Sequence, residues 1–427
     1  MRFWEIRDKI YWEVDGYSGE LFEKDAMNSK YYDIAIVGGG IIGLSTAMAL
    51  RKRLPRYSLA VIEKESEVAF HQTGHNSGVI HTGIYYKTGS QKAKLCIEGA
   101  RMMTEFCSEN GIPYERCGKL IVATTEEELP RLHALYERGR ANGIAGLELI
   151  DPKRAGEIEP HANAVEALYS PSTAITDFKQ VARAMATKIK ESGGEILLSS
   201  RVLNIHTSGE NRHLEATGGD IQSRYLINCA GLYADRVARM TGSQLNLLLM
   251  PFRGEYYTLK PECPLVQNLI YPVPDPEFPF LGVHFTKRIG GDYEAGPNAV
   301  LAFAREGYRL RDVCLKDLAA MFGNSGFWAM ARKYWRIQAY ELYRSASRRA
   351  FLAALHKLIP ELRDRDMDRG GAGVRAQIVT PEGSLADDFI IAESYNVINV
   401  LNAPSPAATA SIAIGNHIAD LAVGHFK

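Results

Sequence analysis

Apolar and glycine positions between residues 31 and 65 alternate in blocks that predict a strand, a glycine turn, a helix and a second strand. The first block, residues 33–37, is short and mostly apolar, which is typical of a strand buried on both faces of a parallel sheet. The second strand begins after Leu54-Pro55 and ends at Val61-Ile62. This βαβ order predicts an α/β fold built on a parallel sheet.

The turn of this unit carries Gly38, Gly40 and Gly43 at G-x-G-x-x-G spacing. The first glycine permits a tight turn, the second lets the backbone approach a pyrophosphate, and the third lets the helix pack closely on its strand. Glu63 stands 20 residues past Gly43. There its carboxylate can accept hydrogen bonds from an adenosine ribose, while the helix amides face an anion. The unit therefore predicts a dinucleotide site, which FAD and NAD both satisfy.

The rest of the chain alternates between helical and strand periods. Up to residue 220, the pattern predicts helices at 92–110, 126–142 and 178–192, strands at 117–123, 195–206 and 212–217, and a proline-broken crossing at 151–171. Beyond residue 220, it predicts a strand and helix at 225–235, an aromatic and β-rich stretch at 251–304, a polar helical stretch at 305–365, strands at 368–378 and 397–402, and a helix within 403–415.

Two segments favour FAD over NAD. A late strand ending in Cys229-Ala230-Gly231 returns the chain to the first sheet, as expected of FAD folds built from separated segments. Residues 71–86 contain three histidines and three glycines and fit neither a helix nor a half-buried strand. Glycines there let the backbone approach a flat ligand, and small polar side chains can bond its edge. The alternative for this stretch is a surface loop with incidental histidines.

Composition excludes several classes of protein. Fifty basic and fifty acidic residues cancel, which removes any whole-chain electrostatic case for nucleic acid as a partner. The six cysteines show neither C-x-x-C nor metal-ligand spacing, so we expect reduced thiols and no metal site. No apolar run reaches the ~18 residues of a spanning helix, and the first thirty residues lack a signal core. A cytoplasmic location is expected.

Basic residues interleave with aromatic ones between residues 331 and 350. This stretch contains one acid, Glu341, and six bases: Arg332, Lys333, Arg336, Arg344, Arg348 and Arg349. A solvated helix face is one interpretation. The alternative is a helical surface that lies peripherally on the inner face of the cell membrane, which would suit a membrane quinone as electron acceptor.

Nine motifs in chain order carry a family resemblance: VGGGIIG, Glu63, HQTGHNSGVIHTGIYY, LINCAGLYAD, PFRGEYY, GVHFT, GPNAVLAF, GVRAQ and NAPSPAATASIAIG. Together they resemble the L-2-hydroxyglutarate dehydrogenase/oxidase branch of the D-amino-acid-oxidase-like FAD enzymes, from about residue 32 to the C-terminus. The resemblance implies non-covalent FAD, oxidation of L-2-hydroxyglutarate to 2-oxoglutarate by hydride transfer to flavin N5, and electron delivery to a quinone or another acceptor. Ala407-Ala408 departs from the glycines of many relatives in the wider superfamily.

The resemblance also implies which residues contact the cofactor. They are Gly38, Gly40, Ile41, Ile42, Gly43, Glu63, Lys64, Thr73, Gly74, Ser77, Gly78, Val202, Ala230, Gly231, Ser405, Pro406, Ala407, Ala408 and Thr409.

The resemblance also implies two interleaved domains. A Rossmann-type FAD domain of the glutathione-reductase/D-amino-acid-oxidase kind is predicted at 31–116, 175–250 and 366–427. A mixed-sheet α+β substrate domain is predicted at 117–174 and 251–365, with a helical basic insertion at 305–365. Residues 1–30 are left as an N-terminal appendage outside the fold.

Oxidation of a 2-hydroxy acid needs a base for the hydroxyl proton and cations for the carboxylates. Arg253 and Arg375 are the predicted carboxylate ligands because a guanidinium makes two parallel charge-assisted hydrogen bonds; a structural ion pair is the alternative for each. His81 and His284 are the candidate bases, although a histidine is often only a packed residue. Tyr256 is a weaker candidate for substrate contact.

Two other functions stay open on the sequence alone. Fold does not fix substrate, so an FAD oxidoreductase acting on an amino acid or on glycerol-3-phosphate is one alternative. A non-catalytic flavoprotein subunit is the other.

Overall fold

The computed structural model describes residues 29–276 and 281–425. The predicted appendage therefore lies outside the described residues except at its end, where Lys30 begins the first strand. The strands, in chain order, are β1 (Lys30–Val37), β2 (Leu59–Ile62), β3 (Val79–Ile80), β4 (Tyr114–Glu115), β5 (Lys119–Ala123), β6 (Glu148–Ile150), β7 (Glu166–Ser170), β8 (Ala174–Thr176), β9 (Glu195–Leu197), β10 (Val202–Ser208), β11 (Asn211–Ala216), β12 (Ile221–Asn228), β13 (Leu248–Leu259), β14 (Leu269–Pro272), β15 (His284–Lys287), β16 (Tyr293–Gly296), β17 (Val300–Leu301), β18 (Met367–Val379), β19 (Ile390–Ser394) and β20 (Val397–Asn402).

The α-helices of the described residues follow the same chain order. They are α1 (Ile41–Arg53), α2 (Gln91–Glu109), α3 (Leu129–Ala141), α4 (Pro152–Ile158), α5 (Phe178–Glu191), α6 (Ala234–Met240), α7 (Leu315–Phe322), α8 (Ser325–Ala346), α9 (Arg348–Leu355) and α10 (Ala407–His425).

The first sheet is centred on β1, as the apolar run at its core predicts. β1 pairs in parallel with β2 on one side and with β12 on the other, and β12 pairs in parallel with β20. The strand order of this sheet is β10-β11-β12-β1-β2-β9. β20 pairs with the C-terminal part of β12, and β19 pairs with β20. Apolar side chains of α1, α2, α5 and α10 cover one face and bury Ile34 and Ile36 completely. The predicted βαβ unit and the late return of residues 225–228 are thus confirmed.

The second sheet is mixed and has the order β17-β13-β16-β15-β14-β5-β7-β6, with β18 paired to β13. Its β5–β14 pair is parallel, while the neighbouring pairs are antiparallel. Helices α7, α8 and α9 occupy the polar stretch that the sequence predicts to be helical. A small sheet of order β3-β8-β4 accompanies the two large ones.

The strand pairing differs from the sequence expectation at two boundaries. The predicted FAD segment begins at residue 366, yet β18 pairs antiparallel with β13 over most of its length, from Met367 opposite Leu259 to Val379 opposite Leu248. This ladder puts β18 in the second sheet. The predicted single strand at 195–206 is two strands, because Ser199 has a positive φ of 53° between β9 and β10. β9 continues the parallel sheet beside β2, whereas β10 pairs antiparallel with β11.

Candidate active site

The glycine loop after β1 is packed so closely at Gly38 and Gly43 that a side chain is excluded from both positions. Gly38 has φ +116°, and a Cβ there would lie 2.3 Å from the carbonyl oxygen of Cys229. A Cβ on Gly43 would lie 2.0 Å from the carbonyl oxygen of Gly38. Both distances are far below van der Waals contact, so the close approach of β12 and the start of α1 to this loop requires glycine at both positions.

The start of α1 fits a bound anion. Gly40 precedes the helix without a side-chain cap, and the first turn contains no acidic residue. Thr73 Oγ1 accepts a hydrogen bond from the Ile41 amide at 3.0 Å. A Cβ on Gly40 would meet only that hydroxyl, at 3.5 Å, so the protein leaves this backbone open. Open amides at a helix N-terminus are a ready site for a phosphate group, and the predicted Ile42 lies in the same turn.

Glu63 follows β2 directly and is 8% exposed. Its Oε2 accepts a hydrogen bond from the Gly39 amide at 2.7 Å, and its Oε1 accepts one from the Glu65 amide at 2.9 Å. The carboxylate is therefore held beside the glycine loop, where the sequence predicts ribose recognition.

Lys64 bonds three side chains that converge beside this carboxylate. Its Nζ forms an ion pair with Glu65, lies 2.8 Å from His71 Nε2 and lies 2.5 Å from Glu306 Oε1. These three partners have the ligand types of a metal cluster, with their ligand atoms within 4.8 Å of one another. The lysine ammonium already supplies a positive charge to the two carboxylates.

The other predicted cofactor residues lie around this loop. Thr409 ties the first turn of α10 to residues 79–81, since its Oγ1 donates to the Val79 carbonyl at 3.2 Å and accepts from the His81 amide at 3.1 Å. Ser405 and Pro406 precede α10, and Ala407 and Ala408 begin it. Gly74, Ser77 and Gly78 lie between Thr73 and β3, Ala230 and Gly231 follow β12, and Val202 begins β10 at the edge of the first sheet.

A row of polar side chains crosses the second sheet. Lys119 begins β5, Tyr271 lies on β14 and His284 begins β15. The Lys119 ammonium lies over the Tyr271 ring, 5.1 Å from its centroid, and the Tyr271 and His284 rings stack with centroids 3.9 Å apart. Strand pairing sets this row, because Tyr271 is opposite Ile121 and Ile270 is opposite Phe285.

His284 is a neutral imidazole with a defined tautomer. Burial lowers its pKa to about 3, opposed by its hydrogen bond to Gly282 and reinforced by the positive charges of Arg375 and Lys119. Nδ1 lies 2.9 Å from the Gly282 carbonyl oxygen, so in the neutral ring Nδ1 carries the proton and donates it. Nε2 then keeps a lone pair, which is the property that a base needs.

His81 is half-buried, and burial also lowers its pKa well below the usual value. The charges of Lys119, His284 and Arg375 contribute to the same shift. Among the described residues, Nδ1 of His81 is buried without a hydrogen-bond partner. Since Lys119 and Arg375 act on both His81 and His284, the structure brings the two candidate bases together around one group of cations.

Arg375 and Tyr256 also belong to this group. Burial raises the pKa of the Tyr256 hydroxyl, while the charge of Arg375 and its hydrogen bond to that hydroxyl oppose the shift. Arg375 is exposed on β18, and Tyr256 is half-buried on the neighbouring β13. The guanidinium is thus hydrogen-bonded to the Tyr256 hydroxyl.

Arg253 has a different environment. It is 1% exposed, its Nε donates to Glu255 Oε1 at 3.0 Å and its Nη1 donates to the Arg309 carbonyl at 3.3 Å. Glu255 also accepts hydrogen bonds from Asn298 and Ser345. These contacts correspond to the structural ion pair that the sequence leaves open as the alternative for this arginine.

Sequence reasoning missed two members of the group: Lys119 and Tyr271. The signal for Lys119 is slight, a lysine at the edge of the apolar run Leu-Ile-Val-Ala at 120–123. Tyr271 gives no separate signal, because aromatic residues are common in strands.

Comparison with known proteins agrees with this geometry. The family model for FAD dependent oxidoreductases (DAO) matches residues 33–421. L-α-glycerophosphate oxidase from Mycoplasma pneumoniae, solved with FAD bound, superimposes with a TM-score of 0.76 at 22% identity, covering 92% of this chain and 95% of that one. Glycine oxidase from Geobacillus kaustophilus superimposes with a TM-score of 0.69 at 21% identity, covering 93% and 95%. The parallel sheet, its glycine loop and this match define an FAD-dependent oxidoreductase.

Curated relatives specify the branch. L-2-hydroxyglutarate dehydrogenase of Indibacter alkaliphilus is 48% identical over 397 residues, which cover 92% of this chain and 100% of the relative. The mitochondrial L-2-hydroxyglutarate dehydrogenase of Homo sapiens is 46% identical over 411 residues, covering 92% and 89%. The chain belongs to the L-2-hydroxyglutarate dehydrogenase family. The fold, the FAD cofactor and the oxidoreductase class implied by the sequence resemblance are confirmed.

No helix within 29–276 and 281–425 combines the length and apolar character needed to cross a bilayer.

Proposed function

We propose that this chain oxidises L-2-hydroxyglutarate to 2-oxoglutarate, with FAD held non-covalently beside the glycine loop. The observation that supports it best is the meeting of two neutral imidazoles, His81 and His284, with two cations, Lys119 and Arg375. A 2-hydroxy diacid carries two carboxylates for the cations and one hydroxyl proton for a base. The curated relatives bear the name of this activity.

Each side chain has a role in this reaction. FAD, when bound, supplies the group that accepts the two electrons removed from the substrate. Arg375 binds and orients a carboxylate through its planar fork. His284 takes the hydroxyl proton at Nε2, because Nδ1 is committed to the Gly282 carbonyl. His81 and Tyr256 complete the polar wall around the substrate.

The proposal also assigns each catalytic or substrate-binding side chain to one of the two domains. The substrate domain comprises 117–174 and 251–379, which includes β18, and the FAD domain comprises the remaining described segments. With this boundary, the candidate base and both carboxylate ligands come from the substrate domain. His81 comes from the FAD domain and is tied to α10 through Thr409.

Anaerobic mixing tests the reaction. Adding L-2-hydroxyglutarate to the FAD-loaded protein should bleach the oxidised flavin absorbance near ~450 nm, and 2-oxoglutarate should form in equal amount. D-2-hydroxyglutarate, glycerol-3-phosphate and glycine are the comparison substrates. Bleaching by glycerol-3-phosphate or glycine, with none by L-2-hydroxyglutarate, would replace the proposal with one of the alternative oxidoreductases. Bleaching by none of them would favour a non-catalytic flavoprotein.

For the electron acceptor we propose a quinone, reached where α8 lies on an anionic membrane. Trp328, Trp335 and Leu342 recur at seven-residue intervals on α8, so they share one face of the helix. All three are exposed, the tryptophans by 54% and 59%. Aromatic and apolar side chains on an exposed helix face are typical of helices that lie in the membrane interface.

Exposed bases flank this face. Arg332, Lys333 and Arg336 are all exposed, and Arg336 lies over the Trp335 ring at 5.4 Å. Two of the six predicted bases do not contribute to it. Arg344 is buried in an ion pair with Glu341, and Arg348 is bonded to Asp364. Positive charge beside interfacial tryptophans is complementary to an anionic lipid surface.

Vesicle flotation tests the membrane contact. The FAD-loaded protein should float with phosphatidylglycerol vesicles at low salt and much less with phosphatidylcholine vesicles, because the bases need anionic headgroups. Arg332→Glu/Arg336→Glu should abolish flotation. Lys188→Glu/Lys190→Glu, the same charge change on exposed positions of α5, is the matched control. Equal flotation of all three proteins would exclude α8 as the membrane contact. Dimers that form with rising protein concentration and are lost in Arg332→Glu/Arg336→Glu would show that a second copy of the chain covers α8 instead.

A further inference from the structure

Lys119 is a buried cation without a counter-charge. It is 1% exposed, and its Nζ makes neither a hydrogen bond nor an ion pair with any described residue. Its contacts are the rings of Tyr85, at 4.8 Å, and Tyr271, at 5.1 Å. A buried ammonium is costly unless it is paired. A second buried lysine, Lys92, is paired in the usual way, since its Nζ lies 2.6 Å from Asp387 Oδ1.

Other polar atoms around Lys119 lack partners as well. Within the described residues, the Tyr85 hydroxyl and His81 Nδ1 are buried without a hydrogen bond. Buried polar groups are nearly always satisfied in folded proteins, so neighbouring exceptions indicate a missing polar ligand. The ligand that suits an ammonium and a phenol hydroxyl together is a carboxylate, which accepts hydrogen bonds at both oxygens.

Lys119 and Arg375 approach the imidazoles from different parts of the second sheet. The path from β5 to β18 runs through β14, β15, β16 and β13, which is five strand steps, or about 24 Å of sheet at ~4.8 Å per step. Both charges nevertheless act on His81 and on His284. Both side chains therefore lie within Coulombic range of the same two imidazoles, so a ligand bound beside the imidazoles can meet a cation at each end.

We propose that Lys119 binds the distal carboxylate of the substrate, the one remote from the hydroxyl, while Arg375 binds the carboxylate next to the hydroxyl. The inference rests on the proposed function and deepens it, since Lys119 then selects a dicarboxylate over a monocarboxylate. The fork of Arg375 suits the end whose orientation must be fixed for reaction. The ammonium is a point charge that accepts a flexible distal end in several orientations.

The protonation state of Lys119 agrees with this role. Burial lowers its pKa to about 8, so at pH 7 the ammonium form predominates. Dicarboxylate binding to the free protein should therefore weaken as the pH rises above about 8, because the proton is then lost before the ligand arrives.

Calorimetry on the FAD-loaded protein tests the subsite without catalysis. Glutarate, a five-carbon diacid with no hydroxyl to oxidise, and butyrate, its monoacid counterpart, are the probes. Lys119→Met keeps the length of the side chain and removes the charge. We expect it to weaken glutarate binding roughly 10- to 100-fold, the loss of one charge-assisted hydrogen bond, and to leave butyrate binding unchanged. Lys92→Met is the matched control and should bind both probes as the wild type does.

Lys119→Arg provides a second measurement that keeps the charge. It should retain most of the preference for glutarate and shift the alkaline loss of glutarate binding to higher pH, because a guanidinium does not titrate in that range. Glutarate binding unchanged in Lys119→Met would overturn the proposal. So would an equal loss of glutarate and butyrate binding, or a wild-type affinity for glutarate that is constant between pH 7 and about 9.

The two proposals fail separately. A wild-type protein that binds glutarate through Lys119 and does not oxidise L-2-hydroxyglutarate would end the proposed function and leave the carboxylate subsite. A protein that oxidises L-2-hydroxyglutarate and discriminates diacids equally well without Lys119 would end the subsite alone.

Discussion

Arg305 and Asp235 form a bidentate ion pair between the two halves of the fold. Arg305 Nη2 donates to Asp235 Oδ2 at 2.8 Å, and Nη1 donates to Asp235 Oδ1. Both side chains are buried, at 4% and 1% exposure. Asp235 lies in the first turn of α6, four residues after Gly231, which follows β12 of the FAD sheet, whereas Arg305 follows β17 of the substrate sheet. The pair therefore fixes the position of one sheet relative to the other.

Arg305→Met should destabilise the protein by about 3–5 kcal/mol, because it leaves the buried carboxylate of Asp235 without its bidentate partner. Urea unfolding of the FAD-loaded protein measures the change as a lower midpoint at constant slope. Arg154→Met is the control, since Arg154 pairs with Glu157 on the surface and both side chains are half exposed. A midpoint unchanged in Arg305→Met would show that the pair contributes no net stability.

The two histidines should separate in mutant kinetics. His284→Ala should lower kcat by ~10²-fold or more, because it removes the base whose Nε2 is left free by the bond to Gly282. His81→Ala should act mainly on KM, since His81 then only binds the substrate. His213→Ala is the matched control: this histidine pairs with Asp220 on the first sheet, away from both candidates. Steady-state rates with L-2-hydroxyglutarate decide the assignment, and the reverse pattern would make His81 the base.

The pH dependence of kcat/KM should lack an acid limb near 6.5, the ordinary histidine pKa. Burial lowers the pKa of His284 to about 3, so this imidazole stays neutral as the pH falls to about 5. Burial also lowers the pKa of His81 well below its usual value, which moves its titration away from 6.5. An alkaline limb is expected above about pH 8, where Lys119 loses its proton. In Lys119→Arg the alkaline limb should move to higher pH. A limb near 6.5 in the wild type would mean that a histidine titrates unperturbed.

The cofactor half of the site is predictable because its signals are local. The glycines of the first turn and Glu63 lie within 26 residues of one another, and backbone geometry requires glycine at Gly38 and Gly43. The sheet that binds the substrate is different. β18 and β13 are separated by more than 100 residues, and nothing in either strand specifies its partner. For this reason the predicted boundary at residue 366 separates two strands that pair with each other.

The missed lysine illustrates the same limit. In the sequence, Lys119 is only the first residue of an apolar strand. Its role depends on Tyr271 and His284, which reach it through the pairing of three separate strands.

The ion pair of Arg253, in contrast, could have been predicted from the sequence. Residues two apart on a strand point to the same face, so Glu255 lies where it can pair with Arg253. The ion pair between them has that origin.

Arginine-to-lysine exchange should distinguish Arg375 from Arg253. Arg375→Lys should weaken glutarate binding to the FAD-loaded protein about tenfold or more, because a point charge replaces a fork that can bond both carboxylate oxygens. Arg253→Lys should instead lower the free energy of unfolding and leave glutarate binding nearly intact, because the guanidinium is buried against Glu255 and the Arg309 carbonyl. Calorimetry and urea unfolding on both variants give the comparison. Weaker glutarate binding in Arg253→Lys at unchanged stability would place Arg253 among the carboxylate ligands, with its ion pair to Glu255 breaking when the substrate binds.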